Sequence, residues 1–225
     1  MVLTRDMLAD GGMLRMIAES SPTLTVLTEA ERAASLAATL ARRPAGAAPV
    51  WLFAYGSLIW NPALHYTHRR LARIHGWHRS FCLSTVAGRG TPEAPGLVLG
   101  LDRGGACTGA AFSIDEAVLE QELTLLWQRE MLSGSYEPRW LAVRGGDGAV
   151  FGHAITFTIR RDGQYYARLE REELVRRLAT AAGALGSSAD YLFKTRDSLR
   201  EMGITDRAVE ALSLAVQALR EPAAP

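Results

Sequence analysis

The sequence predicts an α+β fold, a compact and mostly antiparallel β-barrel flanked by helices, and three observations carry that prediction. From Val50 onward, short apolar runs alternate with glycine-rich turn signals, as in a meander of strands. One amphipathic helix interrupts them between Asp115 and Met131. The chain reads as helical before and after this strand-rich stretch, which segregates helices from sheet. With 225 residues, 48% of them hydrophobic, one sizeable core can be buried, and nothing suggests a disordered or fibrous protein.

In chain order, the segment through Arg43 is expected to be helical. In "TEAERAASLAATLARR", Thr28 is an N-cap with Glu31 three residues on, a capping box before alanines and leucines at helical spacing. "PAGAAP" then reads as a linker, so residues 1–49 form a helical N-terminal extension and linker and residues 50–225 the main domain. Strands are predicted at "VWLFAY", "RLARIHGWHRSFCL", "GLVLGL", "ACTGAAFSI", "RWLAVR" and "AVFGHAITFTI", separated by turns such as "RGG", "RGGDG" and "RRDG". "DEAVLEQELTLLWQREM" is the interrupting helix. "LEREELVRRLATAAG", "SSADYLFKTRDSLREMG" and "TDRAVEALSLAVQAL" follow as helices, with Gly183 and Gly203 as stops and Ser187 or Ser188 and Thr205 as N-caps.

Composition narrows the function. A formal net charge of +1 offers no field to recruit nucleic acid or an anionic membrane, and no obligate protein partner is implied. Cys82 and Cys107 are too few for a disulfide framework, and both sit in apolar runs, which points to a reducing compartment. No apolar segment is long enough to span a bilayer, and the N-terminus lacks a basic start followed by an apolar stretch, so a cytoplasmic location is expected. His65, His68, His75 and His78 are not read as a metal site. Alternation along a strand puts His75 and His78 on opposite faces, and Arg69, Arg70, Arg73 and Arg79 would repel a cation. Those arginines suit a solvated strand face or contact with an anionic group. "GRGTPEAPG" has no helix opening behind it and is not a dinucleotide fingerprint, Glu93 within it reads as a loop charge, and no nucleophile elbow is present. No cofactor or metal is expected.

Two stretches can carry chemistry. In "VWLFAYGSLIWNP" a strand of large residues ends in Gly56 and Ser57, where exposed backbone N–H groups suit a carboxylate or an ordinary strand-to-loop turn. In the interrupting helix, Leu119, Leu123, Leu126, Trp127 and Glu130 share one face, so Glu130 stands on the apolar stripe, with Glu116, Glu120 and Glu122 toward its margins. Burial and the negative helix end both raise a carboxyl pKa, which prepares a general acid/base. The same position also suits an ion pair with a nearby arginine.

"VWLFAYGSLIWNP", "RGTPEAPGLVLGLDRGGACTGAAF", "ELTLLWQREMLSGSYEPRW" and "YLFKTRDSLREMGI", in that order and spacing, resemble the ChaC-type γ-glutamylcyclotransferases in their bacterial form, from about Val50 to Leu219. The resemblance implies a β-barrel flanked by helices and a carbon–nitrogen lyase that cleaves glutathione to 5-oxoproline and cysteinylglycine without a cofactor. It also implies a substrate loop of Tyr55, Gly56, Ser57 and Leu58, a catalytic Glu130 after Arg129, and a ligand-facing tyrosine, matched to Tyr191. Some relatives carry aspartate and histidine where this chain has Ala87 and Gly88, and the segment through Arg43 lies outside the shared region.

With the γ-glutamyl end tied down, the substrate's own α-amine becomes the nucleophile, so the protein need only move protons, a task for Glu130, and stabilise the carbonyl oxygen through Ser57 or Tyr55. Two alternatives are a non-catalytic sensor of γ-glutamyl ligands tied to cation transport, and a cyclotransferase for other γ-glutamylamines.

Overall fold

Val50–Ala54, the run of five consecutive apolar residues, forms strand β1, and every one of its residues is buried. A strand covered on both faces reads as a continuous apolar run rather than an alternating one. The computed structural model describes residues 3–22 and 24–221. Helices α1 (Arg5–Ala9), α2 (Gly12–Ser20) and α3 (Glu29–Ala41) precede β1, and the one-turn helix α4 (Ser57–Trp60) follows it. Then come β2 (His68–Thr85), β3 (Gly96–Ile114), α5 (Leu119–Glu130), β4 (Tyr136–Arg144), β5 (Val150–Ile159), α6 (Arg171–Thr180), β6 (Ala182–Gly183), β7 (Gly186–Ser187), α7 (Ser188–Glu201) and α8 (Arg207–Arg220).

The five long strands close into a barrel in the order β1-β3-β2-β4-β5. Neighbours in that order pair antiparallel, and the ring is closed by parallel pairing of β1 with β5, Trp51 opposite Ala154. The core fills the barrel and continues under α5, whose Leu119, Leu123, Leu126 and Trp127 are all buried as the helical spacing predicts. Trp127 meets Phe157 of β5 edge-on at 5.2 Å, a favoured aromatic geometry.

Several local expectations are corrected. "GLVLGL" and "ACTGAAFSI" are one strand, β3, because "RGG" does not reverse the chain. Gly104 and Gly105 have φ of 105° and 70°, and a register shift opposite them between His75 and Trp77 bends the β2–β3 ribbon instead. This irregularity leaves both His75 and His78 exposed, so simple alternation fails there. The N-terminal segment is not one helix: Gly11, at φ 73°, separates α1 from α2, and an extended stretch leads to Thr28, where the expected capping box with Glu31 forms. Helix α6 ends at Thr180, and Gly183 lies in the small β6–β7 pair rather than stopping the helix. Asp206, not Thr205, caps α8, its Oδ1 accepting from the Ala208 and Val209 amides at 3.1 and 3.2 Å.

Arg79 overturns the reading of the arginine-rich strand as a uniformly solvated face. It is buried, pairs with Asp206, and donates to the main-chain carbonyls of Tyr55 and Thr108. The last helix and the end of β1 are thereby tied to one charge.

Candidate active site

The end of β1 is fixed from two sides. Tyr55 points inward and its hydroxyl donates to the Phe157 carbonyl at 2.8 Å, while its own carbonyl accepts from Arg79. Gly56 follows as the residue capping α4, and Ile59 N donates back to its carbonyl at 2.9 Å. Its φ is −138°, so a left-handed turn is not the reason for glycine here. A Cβ at this position would lie 2.8 Å from Tyr191 Oη, so close approach is the reason. Ser57 Oγ accepts from Arg129 Nη2 at 3.0 Å and neighbours the Tyr191 hydroxyl, so its own proton can turn to that oxygen or to a ligand.

Glu130 ends α5 with its side chain 12% exposed, and its Oε1 lies 3.0 Å from Arg129 Nε. The ion pair anticipated as one alternative is therefore present, and Arg129 is anchored in turn on the Asn61 carbonyl at 2.6 Å. Burial pushes the Glu130 carboxyl above the usual range, and the Arg129 charge opposes this only in part. A protonatable carboxyl held in one place is the outcome.

All six residues singled out from the sequence line one small pocket of about 20 Å³: Tyr55, Gly56, Ser57, Leu58, Glu130 and Tyr191. Ser57, Glu130, Tyr136 and Tyr191 also line a neighbouring cleft of about 200 Å³, so Glu130 stands where the two meet. Sequence reasoning missed Tyr136, which lies in "SGSYEPRW" but offers no helical or strand spacing that would mark it. Its hydroxyl donates to the Leu99 carbonyl at 2.7 Å. Burial raises the pKa of Tyr55, Tyr136 and Tyr191, so all three are neutral phenols at neutral pH. The Tyr55 and Tyr136 protons are already committed to main-chain carbonyls, so toward the cavity these oxygens offer lone pairs. That suits an ammonium and removes Tyr55 as an oxyanion donor, leaving Ser57.

The profile of the family described as "ChaC-like protein" matches residues 50–219. The chain belongs to this family. A relative from Escherichia coli (strain K12), a glutathione-specific gamma-glutamylcyclotransferase, is 41% identical over 218 residues, covering 97% of this chain and 94% of the relative. A gamma-glutamylcyclotransferase 2-1 of Arabidopsis thaliana is 31% identical, covering 67% of this chain and 74% of its own length. Among solved structures, a yeast gamma-glutamyl cyclotransferase specific to glutathione aligns with a TM-score of 0.70 over 76% of this chain and 97% of its own, at 24% identity, and so shows the same fold.

The N-terminal segment of this ChaC-like chain lies outside the matched profile, yet Leu3, Met13, Ile17 and Leu24 line the cleft. It is docked by charge as well as by apolar contact. Arg5 makes two bonds, 2.5 and 2.7 Å, to the Glu122 carboxylate, which is 1% exposed and also accepts from the His65 amide at 2.9 Å. Glu122, placed by helical spacing at the stripe's margin, is thus a second buried acid of α5. Burial raises its pKa, but the Arg5 hydrogen bonds and the His65 amide outweigh that, and the net shift is downward. Such an ion pair stabilises above the unfolded carboxyl pKa and is lost as pH falls through the lower folded value. Arg5→Ala should therefore cost about 1–3 kcal/mol near neutrality, lowering Tm by roughly 2–4 °C per kcal/mol. The gap from wild type should close toward and below about pH 4. Thermal melts of both proteins from pH 3 to 8 would check this, and a gap independent of pH would refute it.

Among the described residues, no helix is long and apolar enough to cross a membrane, and no three His, Cys, Asp or Glu side chains form a group able to hold a metal. Cys82 and Cys107 are free and buried, and burial pushes the Cys82 thiol up to about 12.

Proposed function

We propose that this chain is a glutathione-specific γ-glutamylcyclotransferase of the cytoplasm, with Glu130 as its single acid/base. The observation that supports this best is a buried carboxyl at the junction of a small pocket and a larger cleft, beside the Tyr55–Leu58 loop. The γ-glutamyl end lies in the cleft against the Tyr55–Leu58 loop, with its α-ammonium directed into the small pocket toward the Tyr55 and Tyr136 oxygens and Glu130. Glu130 takes a proton, and the freed amine attacks the γ-carbonyl carbon to close a five-membered lactam. Negative charge developing on the carbonyl oxygen meets the Ser57 hydroxyl and the first amides of α4. As the amide C–N bond breaks, Glu130 returns its proton to the departing nitrogen, the second proton of the attacking nitrogen passes to the freed amine, which becomes an ammonium, and cysteinylglycine leaves through the cleft. The nucleophile is the substrate's own, so no serine or cysteine of the protein takes that part; the two thiols are buried and held neutral.

The test is a substrate series: reduced glutathione, γ-glutamylcysteine, a γ-glutamyl derivative of a simple amine, and oxidised glutathione, compared by kcat/KM at one pH. Glutathione should be turned over, with 5-oxoproline and cysteinylglycine separated by mass. γ-Glutamylcysteine should be much poorer and the other two near background, because contacts to the leaving dipeptide help align the reacting carbonyl. Equal values for glutathione and the γ-glutamylamine would defeat the glutathione assignment and leave the chemistry standing.

A further inference from the structure

Arg89 opens the "RGTPE" loop and lines the larger cleft but not the small pocket. It is only 9% exposed, and its guanidinium lies 5.9 Å from the centre of the Trp60 ring and 5.8 Å from that of Tyr191. Its side chain makes one long hydrogen bond, Nη1 to the Ser187 carbonyl at 3.4 Å, and among the described residues no carboxylate lies within 4 Å of it. Of the other buried arginines, Arg79 is paired with Asp206 and Arg129 with Glu130, while Arg32 donates to the Leu27 carbonyl at much closer range than Arg89 does to Ser187. Burial lowers the Arg89 pKa from its usual value, Tyr191 and the Asp190 carboxylate, the latter beyond 4 Å, opposing this only in part, though a guanidinium remains a cation at neutral pH. Lys194, on the exposed side, places a second cation 5.5 Å from the same Trp60 ring.

A desolvated charge is costly unless an anion completes it, and a guanidinium fork fits a carboxylate with two parallel bonds. The substrate of the proposed reaction carries two carboxylates. One belongs to the γ-glutamyl group, which must lie against the Tyr55–Leu58 loop with the reacting carbonyl at Glu130. The other ends the cysteinylglycine part and must extend into the cleft, where Arg89 is. We propose that Arg89, supported by Lys194, is the subsite for the terminal carboxylate of the leaving dipeptide and a determinant of the preference for a tripeptide over simple γ-glutamylamines. This rests on the cyclotransferase reading of Glu130.

The probe is reduced glutathione against its C-terminal carboxamide, which differs only in that charge. Wild type should favour the acid by at least tenfold in kcat/KM, as expected for a charge-assisted bidentate contact. In Arg89→Gln the ratio should fall to within threefold of unity through loss on the acid alone, and Arg89→Lys should keep an intermediate ratio because it restores charge without the fork. If Arg89→Gln does not fold by circular dichroism, the lysine variant carries the test. Equal losses on acid and amide would overturn the proposal, as would a wild type that does not distinguish them. Calorimetric titration of both compounds into Glu130→Gln, with and without Arg89→Gln, reads the same preference without turnover. A carboxylate preference that depends on Arg89 there, with no 5-oxoproline from wild type, would sink the reaction and leave the subsite standing.

Discussion

Glu130→Gln should lower 5-oxoproline formation from glutathione by ~100-fold at least, and by up to ~10⁴-fold, while the fold and glutathione binding persist. The amide fills the same space beside Arg129 but cannot take the ammonium proton or give one to the departing nitrogen. In wild type, kcat/KM should rise with pH as Glu130 ionises, along a limb displaced above the ordinary glutamate range because burial opposes the charge. The residual rate of the variant should lack that limb. Stability gives an independent readout. A carboxyl with a raised folded-state pKa contributes most below its unfolded value, and that contribution is lost as pH rises through the folded value. Glutamine stands in for the protonated form, so Tm of the variant minus Tm of wild type should grow from pH 5 to pH 8. Glu93, exposed in its loop, is the control, and Glu93→Gln should match wild type. Turnover of Glu130→Gln within tenfold of wild type would remove Glu130 from the mechanism, and a reversal of the two results would hand the role to Glu93.

Gly56→Val should cost at least ~100-fold in kcat/KM, since a displacement of about 1 Å at a reacting centre can cost that much. The cause is steric. The first added carbon would lie 2.8 Å from Tyr191 Oη and 3.4 Å from Leu99 Cδ1. Tyr191 cannot swing away cheaply, being buried with Trp60 and Phe81 packed edge-on against its ring at 5.9 and 6.1 Å. Overpacking of this kind costs about 1–3 kcal/mol, so Tm should fall while far-UV circular dichroism stays native-like. Gly56→Ala isolates the clash. Combined with Tyr191→Phe, which removes the oxygen it would strike, it should recover much of the lost Tm but not the activity. Additive losses of Tm in the double variant would show that the two residues do not collide, and wild-type kinetics in Gly56→Val would show that the glycine serves only as a turn.

Much of the site was legible because its members carry strong local signals. Glu130 interrupts an apolar stripe at helical spacing, and Tyr55 to Leu58 end the most apolar run of the chain. Tyr191 was carried by family likeness alone, since a tyrosine on an amphipathic helix looks like any core residue. Arg79 was misjudged, and the burial of Glu122 went unread, for one shared reason: a charged residue's burial depends on whether a partner distant in sequence arrives to neutralise it. Asp206 is 127 residues from Arg79, and Arg5 is 117 residues from Glu122.

The sequence by itself determined the strand-rich middle, the helical flanks and the face of α5 on which Glu130 lies, because periodicity and capping act over a few residues. Only the tertiary structure decided that β3 runs unbroken through "RGG", that β1 closes on β5, and that the N-terminal helices wall the cleft. It also decided that Tyr55 and Tyr136 spend their protons on main-chain carbonyls and so face the cavity as acceptors. Strand closure, hydrogen-bond direction and the pairing of buried charges are settled by which distant groups come within about 3 Å of one another, and no local pattern encodes that distance.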